Sequence, residues 1–154
     1  MGARPTYQDL LTDSQKTGDP EGQVASFTNL GYAYYSLGGY EQAINCYKEA
    51  LVIAKKNSFV QGEGTVLGNL GVVFFSLEEY KQTIEFYEKA LDISRQISNQ
   101  QSEALTLDNL EKAYRALGDY EKAIAYNHQH LDIVQAALQD LTRSQASKTK
   151  PQYI

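Results

Sequence analysis

A single cysteine, Cys46, stands in 154 residues, and there is no tryptophan. One thiol excludes an internal disulfide framework and suits a reducing compartment. The two histidines, His128 and His130, lie two apart on a predicted helix and do not face each other, so no metal site is expected. Basic residues are outnumbered, 14 Lys and Arg against 19 Asp and Glu, for a net charge of −5. That balance argues against nucleic acid, whose binding relies on cations neutralising phosphates. No run approaches the roughly 18 consecutive apolar residues of a membrane span. The first residues lack the charged-then-apolar pattern of a secretory signal, and a cytoplasmic location is expected. Met1-Gly2-Ala3-Arg4-Pro5-Thr6 fits the minimal acylation pattern, but six loosely constrained positions often match by chance. Phosphate-cradling glycine loops, Cys–His pairs and paired carboxylates in a catalytic setting are all missing, so neither an enzyme nor a cofactor is expected.

What is present is repetition at an offset of 40 residues. Asn29-Leu30-Gly31, Asn69-Leu70-Gly71 and Asn109-Leu110-Glu111 form one series. Leu37, Leu77 and Leu117 form a second, followed by Tyr40, Tyr80 and Tyr120, then Ile44, Ile84 and Ile124, then Leu51, Leu91 and Leu131. The units run about 22–61, 62–101 and 102–141.

Each unit divides into two amphipathic helices. Phe27, Leu30, Tyr34 and Leu37 recur at steps of three and four, which places them on one stripe. Tyr40, Ile44, Tyr47 and Leu51 repeat that period in the second helix. Gly38-Gly39, Glu78-Glu79 and Gly118-Asp119 separate the pairs, and Asp19-Pro20 suits a helix start with Asp19 as the cap. Gly31 and Gly71, costly inside helices, are expected to admit a close neighbour opposite Ala43 and Thr83. One hairpin cannot bury its own stripe, but stacked hairpins share a core. Tyr7 and Leu11 lie 40 residues before Tyr47 and Leu51, so an N-terminal helix over 5–17 completes a set of seven. The polar stretch 142–154 is expected to be a flexible tail outside the domain 5–141.

These motifs, Asn-Leu-Gly, Ala-Tyr-Tyr, Gly-x-Tyr-x-x-Ala-Ile and Ala-Leu, resemble the tetratricopeptide repeat family. The usual unit has about 34 residues; the 40-residue spacing resembles Pins/LGN-type adaptors and many bacterial arrays. The resemblance implies an all-α, right-handed α-solenoid of three helix-turn-helix units plus the N-terminal helix. It also implies a non-catalytic module that binds a protein or peptide partner in a concave groove lined by the first helices. By the repeat register that groove carries Asn29, Tyr32 and Tyr35, then Asn69, Val72 and Phe75, then Asn109, Lys112 and Arg115.

Tyr32, Tyr35 and Phe75 are candidate anchors, although Tyr35 and Phe75 could equally close the seam between units. The three asparagines form a ladder able to donate and accept along a peptide backbone, or else to brace the next helix. Lys112 and Arg115 could hold a carboxylate, with Asp108 one turn before Lys112 as a competing partner. Thr28 and Leu105 occupy positions that are basic in chaperone-binding relatives, which argues against a carboxylate clamp for chaperone tails. Glu111, Asn127 and His130 replace Gly, Tyr and Ala of the earlier units, and a polar end cap explains all three. Self-assembly through the unsatisfied ends, with Tyr7, Leu10 and Leu11 in the contact, is the alternative role. A regulatory segment of a larger protein is a third.

Overall fold

The computed structural model describes residues 18–148 and, before them, Thr6, Asp9, Thr12, Asp13, Gln15 and Lys16. Gly2, Tyr7, Leu10 and Leu11 lie outside the described residues, as does much of the expected helix over 5–17; Asp9, Thr12, Asp13, Gln15 and Lys16 are helical and exposed.

Six helices follow in chain order: α1 Pro20–Ser36, α2 Tyr40–Lys56, α3 Val60–Ser76, α4 Tyr80–Gln96, α5 Gln100–Leu117 and α6 Tyr120–Lys148. No strand occurs among the described residues. α1 packs chiefly on α2, α3 on α4 and α5 on α6, and α2–α3 and α4–α5 contacts join successive hairpins.

The regular helix length comes from the turns. Residues 18, 38, 58, 78, 98 and 118 all take positive φ, one every twenty residues, and they are Gly, Gly, Ser, Glu, Ser and Gly. At each turn from 38 onward this residue's N–H bonds back three residues and the next N–H bonds back five. Glu78 to Phe75 and Glu79 to Phe74, at 3.0 and 2.9 Å, are typical. This paired closure satisfies the last helical carbonyls. Ser58, Glu78 and Ser98 adopt the same left-handed conformation despite carrying a Cβ, at a cost of about 1 kcal/mol or more each. The repeated turn overrides local preference.

Two cores result. One joins Val24, Ala43, Tyr47, Ala50, Val66, Leu70 and Val73 across α1–α3; the other joins Ile84, Tyr87, Leu91, Leu107, Leu110 and Ala113 across α4 and α5, with Ala123 of α6. Ion pairs recur across the inter-unit turns at the same 40-residue offset, Lys55–Glu63 at 3.9 Å and Arg95–Glu103 at 2.8 Å.

Several expectations need correction. Leu37 does not join the core stripe: α1 stops at Ser36, so Leu37 falls in the turn and is 85% exposed. Gly31 and Gly71 face the rings of Tyr47 and Tyr87 rather than Ala43 and Thr83. Asp19 occupies the N-cap position but makes no side-chain cap bond; Asn99 caps α5 instead, accepting from the Ser102 N–H at 3.0 Å. Glu111 is buried and paired with Arg115, so it forms no part of a polar outer face. α6 continues to Lys148 through seven residues of the stretch read as a tail, because nothing between Asp119 and Lys148 stops it and Ala, Gln and Leu favour the helix.

Candidate peptide-binding groove

α3 carries Gly64 and Gly68, four residues apart and therefore on one helical face. A Cβ at Gly64 would lie 2.7 Å from Cγ2 of Ile93, so the missing side chain lets α4 approach. A Cβ at Gly68 would meet nothing within 4 Å. This bare patch opens a cavity of about 230 Å³ between α3 and α5, with α4 at its base. Asn69 and Val72 line it from α3, Leu105 and Asn109 from α5, and Ala90 and Ser94 from α4.

The candidate groove residues thus separate into groups. Asn69, Val72 and Asn109, spread over two units in sequence, surround one cavity. Among the described residues no hydrogen bond holds the side-chain amide of Asn69 or Asn109, which leaves donors and acceptors available at the cavity wall. Asn29 and Tyr32 are exposed on α1 and outside that cavity, with Tyr32 62% exposed.

Tyr35 and Phe75 sit at the seams. The Tyr35 hydroxyl is 3.0 Å from the Ser76 hydroxyl, tying α1 to α3, and its ring lies 5.7 Å from that of Tyr40. Phe75 meets Tyr80 edge-on at 5.4 Å and packs against the second core. Lys112 donates to Asp108 at 2.5 Å, and Arg115 pairs with Glu111, so both cations are engaged on their own helix.

The base of the cavity, from α4, is what the sequence reading missed; it named Leu105 as a position where a clamp residue is absent. Leu105 is an exposed leucine on the groove face. The signal that could have found this place is the Gly64–Gly68 spacing, since two glycines one turn apart mark a bare helix face. The α4 contribution had no such mark.

Beside the cavity, α4, α5 and α6 are locked by Glu88. It accepts from the hydroxyls of Tyr114 at 2.9 Å and Tyr126 at 3.4 Å, while the two rings stack 5.4 Å apart. Burial and the neighbouring carboxylate both push these phenols above their ordinary range. Burial likewise raises the Cys46 thiol and the phenol of Tyr87, which contributes to the cavity base.

Helical hairpins stacked with a constant turn define an α-solenoid repeat protein. Models of the tetratricopeptide repeat match residues 24–57 and 62–136, and the chain belongs to the tetratricopeptide repeat family. Among curated proteins none matches the sequence. Of solved structures, BtubC (BKLC) from P. vanneervenii is similar, with 27% identity and a TM-score of 0.78 over 86% of this chain and 55% of that one. The chain therefore spans about half the length of that relative. A signal-transduction ATPase with a tetratricopeptide repeat sensor from Pyrococcus horikoshii is 26% identical, with a TM-score of 0.75 over 84% of this chain and 21% of that one. The repeat domain of Arabidopsis FLU shares the fold at 20% identity and a TM-score of 0.71, over 76% of this chain and 98% of that one. Repeats of this family generally mediate protein–protein interaction. No helix among the described residues is long and apolar enough to cross a membrane.

Proposed function

We propose that this protein is a non-catalytic, cytoplasmic interaction module that holds an extended peptide segment of a partner across α3 and α5. The carrying observation is the cavity at Gly68, where free amides of Asn69 and Asn109 flank apolar Val72 and Leu105. A peptide crossing from α3 to α5 over α4 meets Asn69 and then Asn109. The amides bond its backbone, and the cavity takes one aliphatic side chain over Gly68. Tyr32 offers an exposed aromatic surface farther along the groove. Acidic residues gain less than the groove charge suggests, because Lys112 and Arg115 must first leave Asp108 and Glu111.

Calorimetry with a panel of extended peptides tests this reading. Asn69→Ala should weaken every peptide, because its contact is to backbone, and Leu105→Asp should abolish preference for an aliphatic residue. Unchanged affinities for both variants, or a partner that maps to α2 and α4 alone, would overturn it.

A further inference from the structure

In α6 the residues Tyr120, Ile124, Asn127, Leu131, Val134, Leu138 and Leu141 follow alternating steps of four and three. That is a heptad pattern sustained over three turns of seven, with one polar interruption at Asn127. Every apolar member is exposed: Tyr120 65%, Ile124 57%, Leu131 46%, Val134 37%, Leu138 56% and Leu141 61%. The equivalent residues one unit earlier are covered, Ile84 at 7% and Leu91 at 3%, within the core that α4 shares with α5. At Ile124 and Leu131, α6 therefore exposes positions that α4 buries.

A fourth hairpin in repeat register is not what this face is built for. The left-handed turn that recurs every twenty residues is due next at 138, and Leu138 is instead inside a continuous helix. α6 has 29 residues where α2, α3 and α4 have 17. Its last turns run past the repeat and carry Leu138 and Leu141, whose exposure on that overhang serves no hairpin contact. The stripe needs a partner as long as itself, with the same spacing. A second α6 meets both requirements, since a heptad seam packs against its own copy about a two-fold axis. Six large side chains per copy, paired with six more, approach the roughly 1,200 Å² total at which stable interfaces begin.

We infer that the chain self-associates as a two-fold dimer through the α6 stripe, independently of the peptide groove. Asn127 lies within the seam, where a polar side chain lowers affinity while restricting register.

Sedimentation equilibrium on the full chain tests this. The wild type should approach twice its 17.2 kDa chain mass at high micromolar concentration. Leu138→Asp and, separately, Leu141→Asp should return it to single-chain mass with the thermal transition of the repeats retained. Asn127→Leu should tighten association by about tenfold or more. Leu105→Asp, a groove change, should leave the mass unaltered, which separates failure of the groove reading from failure of this one. A wild-type chain that stays at single-chain mass, or a dimer that survives both aspartate variants, would overturn the proposal. So would loss of the repeats' thermal transition in both, since Leu138 and Leu141 would then serve the fold.

Discussion

Gly71 of α3 lies flat against the ring of Tyr87 of α4, so close that a Cβ there would sit 2.4 Å from Cε1. Gly31 and Tyr47 repeat the relationship one unit earlier, at 2.7 Å. In unit three both members change together: Glu111 stands for the glycine and Asn127 for the tyrosine. Without the ring there is room for a longer side chain at 111, and Glu111 is buried there beside Arg115. The pair behaves as a single packing element with two solutions.

Gly71→Ala should therefore destabilise the protein by about 1–3 kcal/mol, the range for overpacking a filled core. Gly68→Ala, three residues away on the same helix, should do the opposite. Its Cβ enters open space, and replacing a helical glycine gains about 0.5–1 kcal/mol. Urea denaturation of the two variants checks both signs. Equal effects would contradict the close approach seen at Gly71.

Arg115 and Lys112 make ion pairs of the same spacing, but their acids differ. The Glu111 side chain is 10% exposed, whereas Asp108 is 34% exposed. Arg115→Ala leaves a mostly desolvated carboxylate with less compensation and should cost about 1–2 kcal/mol. Lys112→Ala breaks an open surface pair and should cost under about 0.5 kcal/mol. Denaturant midpoints distinguish the two, and a larger loss at Lys112 would contradict the assigned burial.

Alkali should unfold the protein ahead of any general chain damage. Burial pushes the Tyr47 phenol up to about 12, and Tyr87, Tyr114 and Tyr126 are also raised. Unfolded tyrosines release their protons near pH 10. Between that value and the folded one, the native state binds more protons than the unfolded state, so stability falls as pH rises. Below about pH 10 this contribution is fully present. Phenolate absorbance followed against pH should show Tyr47, Tyr87, Tyr114 and Tyr126 titrating late, together with loss of helix. Release of these four phenolic protons near pH 10 with the fold intact would contradict it.

The 40-residue series of Asn-Leu-Gly, Tyr and Ile was enough to point to the family and to three helical hairpins, because such periodicity is local and survives in one dimension. The sequence also marked Asn69, Val72 and Asn109 as candidate groove residues, since register alone puts equivalent positions on one face, and all three line one cavity. It left Tyr35 and Phe75 undecided; in the folded chain the Tyr35 hydroxyl meets Ser76 of the next unit, and Phe75 packs against the core that α4 shares with α5. The partner of Gly71 was equally out of reach, because which atom fills a missing Cβ depends on how two helices cross. The cavity over Gly68 needed three helices from two units to be assembled before its α4 base existed. The length of α6 likewise rests on a turn that does not form at 138. Periodicity determines which residues share a face; only tertiary contact decides whether that face is filled, open, or left for another chain.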